Sequence, residues 1–385
     1  MFSSRLPPQT DTNELTRVLA GLRASGAPIV DLTESNPTRV GIAYPAGLLA
    51  PLAQARALDY EPHSLGLPSA RAAVAADHRR RGVEVDPAHI ALTASTSEAY
   101  SWLFKLLCNP GECVLVPRPS YPLFEHLTRL EGVRAEPYDL EYHGRWEIDA
   151  GSLRTASAEV KAMLVVSPNN PAGSYISPSE LEQLPAVCRD RRWALVADEV
   201  FADYPLDASS PLTDIATKAG VLSFTLAGLS KSVGLPQVKL GWIVVGGPPP
   251  QRDAALAALE LIADSFLSVS TPVQVALPEL LRQGAEIRTA IQHRTRENLH
   301  ALRDAVRQFP ACEVLRVEGG WSAVIRVPAT RGEERLVLDL LQREHVLVHP
   351  GYFFDFRSEA FIVISLLPEA AIFRDAIARV LRFAE

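Results

Sequence analysis

Six short apolar runs, most of them unbroken and spaced by longer helical patterns, constrain this chain more than any other feature. They are Ile90–Thr93, Cys113–Val116, Met163–Ser167, Ala194–Ala197, Leu222–Leu226 and Trp242–Val245. Between them, Ser97–Leu107, Tyr121–Leu130 and Pro178–Arg191 carry helical patterns, the last opening on a Ser-Pro-Ser-Glu start signal. Strands apolar on both faces belong to a sheet covered by helices on both sides. The alternation therefore predicts an α/β fold on a doubly wound, mainly parallel sheet. The flanks differ. An amphipathic helix over Thr12–Ala24 stops at Gly26 and leads into an extended segment, Asp31–Tyr44. Beyond about residue 270 come a long helical pattern (Thr289–Gln308), a strand-like run (Trp321–Val327), a helix (Glu333–Glu344) and a final strand and helix. We expect a large domain over residues 45–270 and a smaller α+β domain from residues 1–44 with 271–385.

Composition narrows the function. With 385 residues, 47% of them hydrophobic, the chain can bury a large core, which excludes disorder. No apolar run reaches the roughly 18 residues of a membrane helix; Phe361–Leu367 stops at Pro368. Met1–Thr10 has no hydrophobic stretch, so no signal peptide is expected. A net charge of −7 with mixed signs argues against nucleic acid and for small-molecule partners. The four cysteines form no CxxC pair, as expected of reduced thiols in the cytoplasm rather than a disulfide frame or a metal site.

In doubly wound sheets, ligands sit at the carboxyl ends of the strands, and here each apolar run ends in polar punctuation. Ile90–Thr93 leads into Ala94-Ser95-Thr96-Ser97-Glu98, Cys113–Val116 into Pro117-Arg118-Pro119-Ser120-Tyr121-Pro122, and Met163–Val166 into Ser167-Pro168-Asn169-Asn170-Pro171-Ala172-Gly173. Ala194–Ala197 leads into Asp198-Glu199, and Leu222–Leu226 into Gly228-Leu229-Ser230-Lys231. Dinucleotide, triphosphate and zinc motifs (GxGxxG, GxxxxGK[ST], HExxH) are missing from the sequence. Only five of the 38 lysine and arginine residues are lysine, and two of these, Lys231 and Lys239, lie eight residues apart. A desolvated lysine loses its proton and attacks a carbonyl, which arginine does not. The backbone N–H groups of Ser95, Thr96 and Ser97 suit a phosphate at a helix start, or equally an ordinary N-cap. Asp198 suits a protonated ring nitrogen, or a cap for the turn that follows. Tyr121 offers a flat face for a ring, or packs in the core.

These motifs, in this order, resemble the class I/II aminotransferases, pyridoxal-phosphate enzymes of fold type I. The resemblance spans nearly the whole chain: Tyr60 with Gly66-Leu67-Pro68, Ala94–Glu98, Pro119–Pro122, Ser167–Gly173, Asp198-Glu199-Val200, Ser230-Lys231, Lys239–Trp242 and Pro350-Gly351. It implies a ping-pong transaminase moving an amino group between an amino acid or amine and a 2-oxo acid. Lys231 would be the Schiff-base residue and proton carrier, and Asp198 the partner of the pyridinium nitrogen. Asn170 would donate to the ring's phenolic oxygen and Tyr121 would stack on the ring. Ser95, Thr96, Ser97, Ser230 and Lys239 would surround the phosphate, and Tyr60 would reach the neighbouring subunit's site in a homodimer.

Four positions depart from the family pattern. Phe201 replaces a tyrosine that bonds the ring oxygen, Gly228 a serine, Lys239 an arginine, and Val363 the arginine that pairs with the substrate carboxylate. Arg39, in the segment Glu34–Arg39 with Asn36, and Arg357 are the candidate substitutes for that last charge. Trp321, Tyr44, Tyr352 and Phe353-Phe354 hint at an apolar or aromatic substrate pocket, and core packing explains them equally. The same parts would serve a lyase, racemase or decarboxylase, since the cofactor stabilises a carbanion whichever bond breaks. The acidic net charge and the lack of a basic appended segment argue against a cofactor-sensing regulator, and retention of Lys231, Asp198 and Asn170 against an inactive scaffold.

Overall fold

The computed structural model describes residues 3–6, 13–207, 215–218 and 220–385, so most of Met1–Thr10 and the first residue of the segment Thr12–Ala24 lie outside the described residues. A short strand, β1 (Val30–Asp31), is followed by the eight strands of a large sheet: β2 (Ile90–Thr93), β3 (Cys113–Arg118), β4 (Arg134–Tyr142), β5 (Trp146–Ile148), β6 (Val160–Val166), β7 (Ala194–Asp198), β8 (Ser223–Gly228) and β9 (Gly241–Gly246). Their spatial order is β2-β9-β8-β7-β6-β3-β4-β5. From β8 to β4 the pairs are parallel; β9 runs antiparallel to both its neighbours, and β5 to β4. Every residue of β7, β8 and β9 is buried, which explains the apolar runs of β7 and β9; β8 buries Ser223 and Thr225 among its apolar residues. The fold is thus α/β with a mainly parallel central sheet. Because β2 points the same way as β8, the carboxyl ends of β2, β3, β6, β7 and β8 share one edge, and β9 begins there.

A second, antiparallel sheet is ordered β10 (Glu313–Val314), β11 (Ser322–Arg326), β14 (Phe361–Ser365), β13 (His349–Pro350). In the remaining strand, β12 (Val346–Leu347), the chain pairs in parallel with β1. The Ser365 N–H also donates to the Leu32 carbonyl at 2.6 Å. The amino-terminal segment is therefore tied to the carboxyl-terminal third. No helix among the described residues is long and apolar enough to cross a membrane.

Two departures from the sequence expectations concern long elements. The long helix spans Thr271–Val306, beginning 18 residues before the expected Thr289. Pro278 and Gly284 interrupt its sequence pattern, yet Gly284 serves close packing: a Cβ there would lie 2.5 Å from the Val233 side chain. The β4–β5 hairpin was not anticipated, because charges and Pro137 break the apolar pattern of Arg134–Tyr142. Pro137 pairs with Val116 on β3, and β5 pairs only with Leu140–Tyr142, so β4 has no second neighbour at the proline. Elsewhere the helices Thr96–Leu107, Leu123–Glu131, Pro178–Arg191 and Glu333–Glu344 match expectation to within two residues. Ser177 and Glu180 cap Pro178–Arg191 reciprocally.

Candidate active site

The shared strand edge opens on a cavity of about 300 Å³. Thr96 reaches it from the turn after β2, Tyr121 after β3, Asn170 after β6, Asp198 from the end of β7, and Ser230 and Lys231 after β8. The far wall comes from the second sheet, through Trp321, Ser322 and Val363.

Burial sets the chemistry of the two charged groups. Lys231 is enclosed, and desolvation lowers its pKa from 10.5 to about 8, with Asp198 pulling the other way. Its Nζ lies 4.9 Å from the Trp321 ring centre and 5.4 Å from that of Phe201. An appreciable fraction of this amine is therefore unprotonated near neutral pH, as attack on an aldehyde requires. Asp198 is buried at the end of its strand, and desolvation raises its pKa, partly offset by hydrogen bonds and by Lys231. The Val200 N–H donates to its Oδ1 at 3.1 Å and the Tyr100 hydroxyl to its Oδ2 at 2.8 Å. The carboxylate is thus oriented but short of positive charge.

These features suit pyridoxal phosphate. A protonated ring nitrogen would supply the cation that Asp198 lacks, and Ser120 Oγ, a buried hydroxyl on the cavity wall, has no hydrogen-bond partner. At the start of the helix Thr96–Leu107, a side chain on Gly241 would lie 3.1 Å from the Thr96 nitrogen; glycine keeps that approach open. The Ser95 side chain is the N-cap, accepting from the Glu98 N–H at 3.2 Å. This leaves the N–H groups of Thr96 and Ser97, which begin the helix, without intrahelical partners.

The remaining anticipated residues divide. Phe201 lines the cavity, edge-on to Trp321 at 5.2 Å between ring centres. Ser97 and Lys239 do not line it; Lys239 is exposed in left-handed backbone with φ +61°, beside the cavity-lining Leu240. Tyr60 is 72% exposed, away from this chain's cavity. Asn36 accepts from the Thr38 N–H and caps a short turn, and Arg39 on that turn is exposed; neither lines the cavity, whereas Thr33 and Ser35 do. Arg357 is 60% exposed and pairs with Asp139 at 2.9 Å, a carboxylate it shares with Arg118. Of the aromatic hints, Trp321, Phe353 and Phe354 line the cavity, whereas Tyr44 and Tyr352 do not. Among the described residues no arginine lines it, and Val363 faces His349 across the β13–β14 pair.

Gly228 acquires a structural reason. A Cβ there would lie 3.0 Å from both the Leu240 carbonyl oxygen and the Gly241 Cα, so a serine would force the β8 and β9 ends apart. Tyr100 and His349 were not anticipated. Tyr100 lies one turn into a helix whose first residues were already singled out, but nothing local marks its hydroxyl as the partner of a carboxylate 98 positions away. His349 is partly buried and desolvation lowers its pKa, with Asp31 opposing, so it meets the cavity as a neutral imidazole at neutral pH.

The sequence profile described as aminotransferase class I and II matches residues 46–376. The glutamate-pyruvate aminotransferase AlaA of Haemophilus influenzae is 27% identical over 378 residues, covering 94% of this chain and 92% of that protein. An alanine aminotransferase of Mycobacterium tuberculosis is also 27% identical, covering 94% and 87%. Two solved structures share the fold: an aminotransferase from Escherichia coli (TM-score 0.87, 24% identity, covering 100% of this chain and 98% of that one) and an alanine aminotransferase from Pyrococcus furiosus (TM-score 0.86, 23% identity, 96% of each). Since the matched stretch takes in the whole large sheet, the second sheet and every cavity-lining residue but Thr33 and Ser35, this chain belongs to the class I and II aminotransferase family, whose fold is that of pyridoxal-phosphate enzymes of type I.

Proposed function

We propose that this aminotransferase works through Lys231 as the covalent attachment point of pyridoxal phosphate and Asp198 as the partner of its ring nitrogen. The observation that carries the reading is the pairing of a lysine whose pKa is drawn down to about 8 with a buried carboxylate at one strand edge. When bound, the cofactor supplies an electron-withdrawing ring that stabilises the carbanion left by loss of the substrate Cα proton. Lys231 Nζ would be the base that accepts the substrate Cα proton and passes it on to the cofactor carbon, not back to Cα. Asn170 donates to the ring oxygen and Tyr121 covers the ring. Thr96, Ser97 and Ser230 hold the phosphate, with Ser95 setting the helix start and Lys239 adding positive charge from outside the cavity. Asn36 and Arg39 belong to the segment over the substrate, and the exposed Tyr60 supports a homodimer in which it serves the neighbouring site.

The division into domains of residues 45–270 and of 1–44 with 271–385 is part of the same reading. Four unpaired cysteines support a reducing compartment, the cytoplasm. Borohydride reduction followed by peptide mapping is the test: a phosphopyridoxyl group on Lys231 is expected, and a label elsewhere, or none, sinks the assignment. Amino donors alone convert the cofactor stoichiometrically to its amine form, whereas a lyase would release ammonia catalytically. The relatives' names favour the former.

Phe201 yields a further prediction. Its ring offers no donor to the cofactor's phenolic oxygen, so the phenolate is less stabilised than with tyrosine at this position. Phe201→Tyr is expected to lower the pH midpoint of the bound cofactor's absorbance change by about one unit. A midpoint unmoved by the substitution would show that residue 201 does not reach the ring oxygen.

A further inference from the structure

The helix that carries Lys231, Leu229–Ser232, is a single turn. Its carbonyl end is closed only by the backbone just beyond it, where the Gly234 N–H donates to the Lys231 carbonyl at 3.3 Å and the Leu235 N–H to the Leu229 carbonyl at 2.9 Å. Three side chains from distant parts of the chain add donors to this turn. The Tyr204 hydroxyl donates to the Lys231 carbonyl at 2.6 Å and lies 3.4 Å from that of Ser232. Arg288 Nε donates to the Ser232 carbonyl at 2.8 Å, and the Tyr44 hydroxyl to the Gly234 carbonyl at 2.6 Å.

Each donor is itself anchored. Arg288, on the long helix, pairs with Asp77 at 3.2 Å and Asp203 at 3.7 Å. Tyr204 is fully buried, its ring 5.1 Å from that of Trp321, the indole that also flanks Lys231 Nζ. The same long helix presses on the turn where Gly284 meets Val233. Burial pushes the Tyr44 pKa up to about 12 and that of Tyr204 well above 10, so both phenols stay protonated and donate throughout the neutral range.

We propose that Tyr204, Arg288 and Tyr44 are positioning residues, which hold the backbone of the Lys231 turn and thereby keep its amine fixed and dry at the cavity wall. The proposal rests on the reading of Lys231 as the attachment residue. None of the three lines the cavity, so their effect must pass through the backbone. Small displacements of a reacting group are costly, up to about 10²-fold for 1 Å, and a loosened turn admits water to Nζ.

The test uses the holoenzyme with Tyr204→Phe, which removes one hydroxyl and keeps the ring. We expect kcat to fall about tenfold, the effect of losing one buried hydrogen bond, while KM for the amino donor stays within about twofold. The limb of the kcat–pH profile governed by Lys231 moves up by about one unit as its amine becomes hydrated. Amide exchange across residues 231–234 quickens in step. Tyr44→Phe, which touches a carbonyl three residues from Lys231, shows the same pattern at about threefold and serves if the first variant does not fold. A fall in Tm alone, with kcat and pH profile as in the parent, overturns the proposal. Failure of borohydride to label Lys231 in the parent would instead overturn the attachment reading on which it stands.

Discussion

Replacing Lys231 with methionine lowers transamination by about 10⁴-fold or more and stabilises the cofactor-free chain at neutral pH. The first effect follows because one amine both holds the cofactor and moves the proton, and methionine does neither. The second follows from linkage. Folding lowers the Lys231 pKa from 10.5 to about 8, so between these values the folded state binds fewer protons than the unfolded one. The parent therefore gains stability as pH rises through that window, and below pH 8 it carries the whole penalty, on the order of 3 kcal/mol. Methionine carries none and fills a similar volume beside Phe201 and Trp321. Melting curves of the cofactor-free proteins are expected to show the variant ahead below pH 8 and the gap closing toward pH 10. Turnover retained to within tenfold of the parent would exclude Lys231 from the chemistry, whatever its stability.

Asp198→Asn is expected to cost about 10²–10³-fold in kcat, the range for removing one preorganised electrostatic partner. The amide keeps the shape and still accepts from the Val200 N–H, while the Tyr100 hydroxyl can turn to accept from the new NH₂ group. What is lost is the negative charge opposite the ring nitrogen. The sign of the stability change again follows from burial. A carboxyl whose folded pKa is raised binds more protons folded than unfolded, so the parent loses stability as pH rises through that pKa. The cofactor-free variant should then melt above the parent at pH 7, with the difference shrinking under acid conditions. Full activity in the variant would mean that Asp198 only caps the turn after β7.

The legible part of this molecule was the part written in local periodicity. Runs such as Ala194–Ala197 and Trp242–Val245 are apolar without alternation, and burial on both faces is the one strand environment that asks for that. The polar residues at their ends then collected at one edge, which placed Thr96, Tyr121, Asn170, Asp198, Ser230 and Lys231 around a single cavity. Arg134–Tyr142 was illegible because its charges and proline are tolerated only near the sheet's rim, a position that no local pattern announces. The Thr271–Val306 helix was misjudged at Gly284, a weak helix former kept here by contact with Val233 rather than by helix propensity. Gly228 stands where the family pattern has a serine, and it is the residue that lets two strand ends meet.

Sequence alone determined the layered α/β plan, the strand edge where chemistry collects, and the lysine and aspartate that face each other there, since each depends on residue type and short spacing. Tertiary structure decided the rest. It drew Tyr100 onto Asp198, turned Arg357 to Asp139, left the cavity without an arginine among the described residues, and brought Tyr204, Arg288 and Tyr44 to one turn of helix. The physical reason is common to all four. Hydrogen bonds, ion pairs and desolvation act over a few ångströms regardless of separation along the chain, and which groups come that close is settled only when the sheets and helices pack.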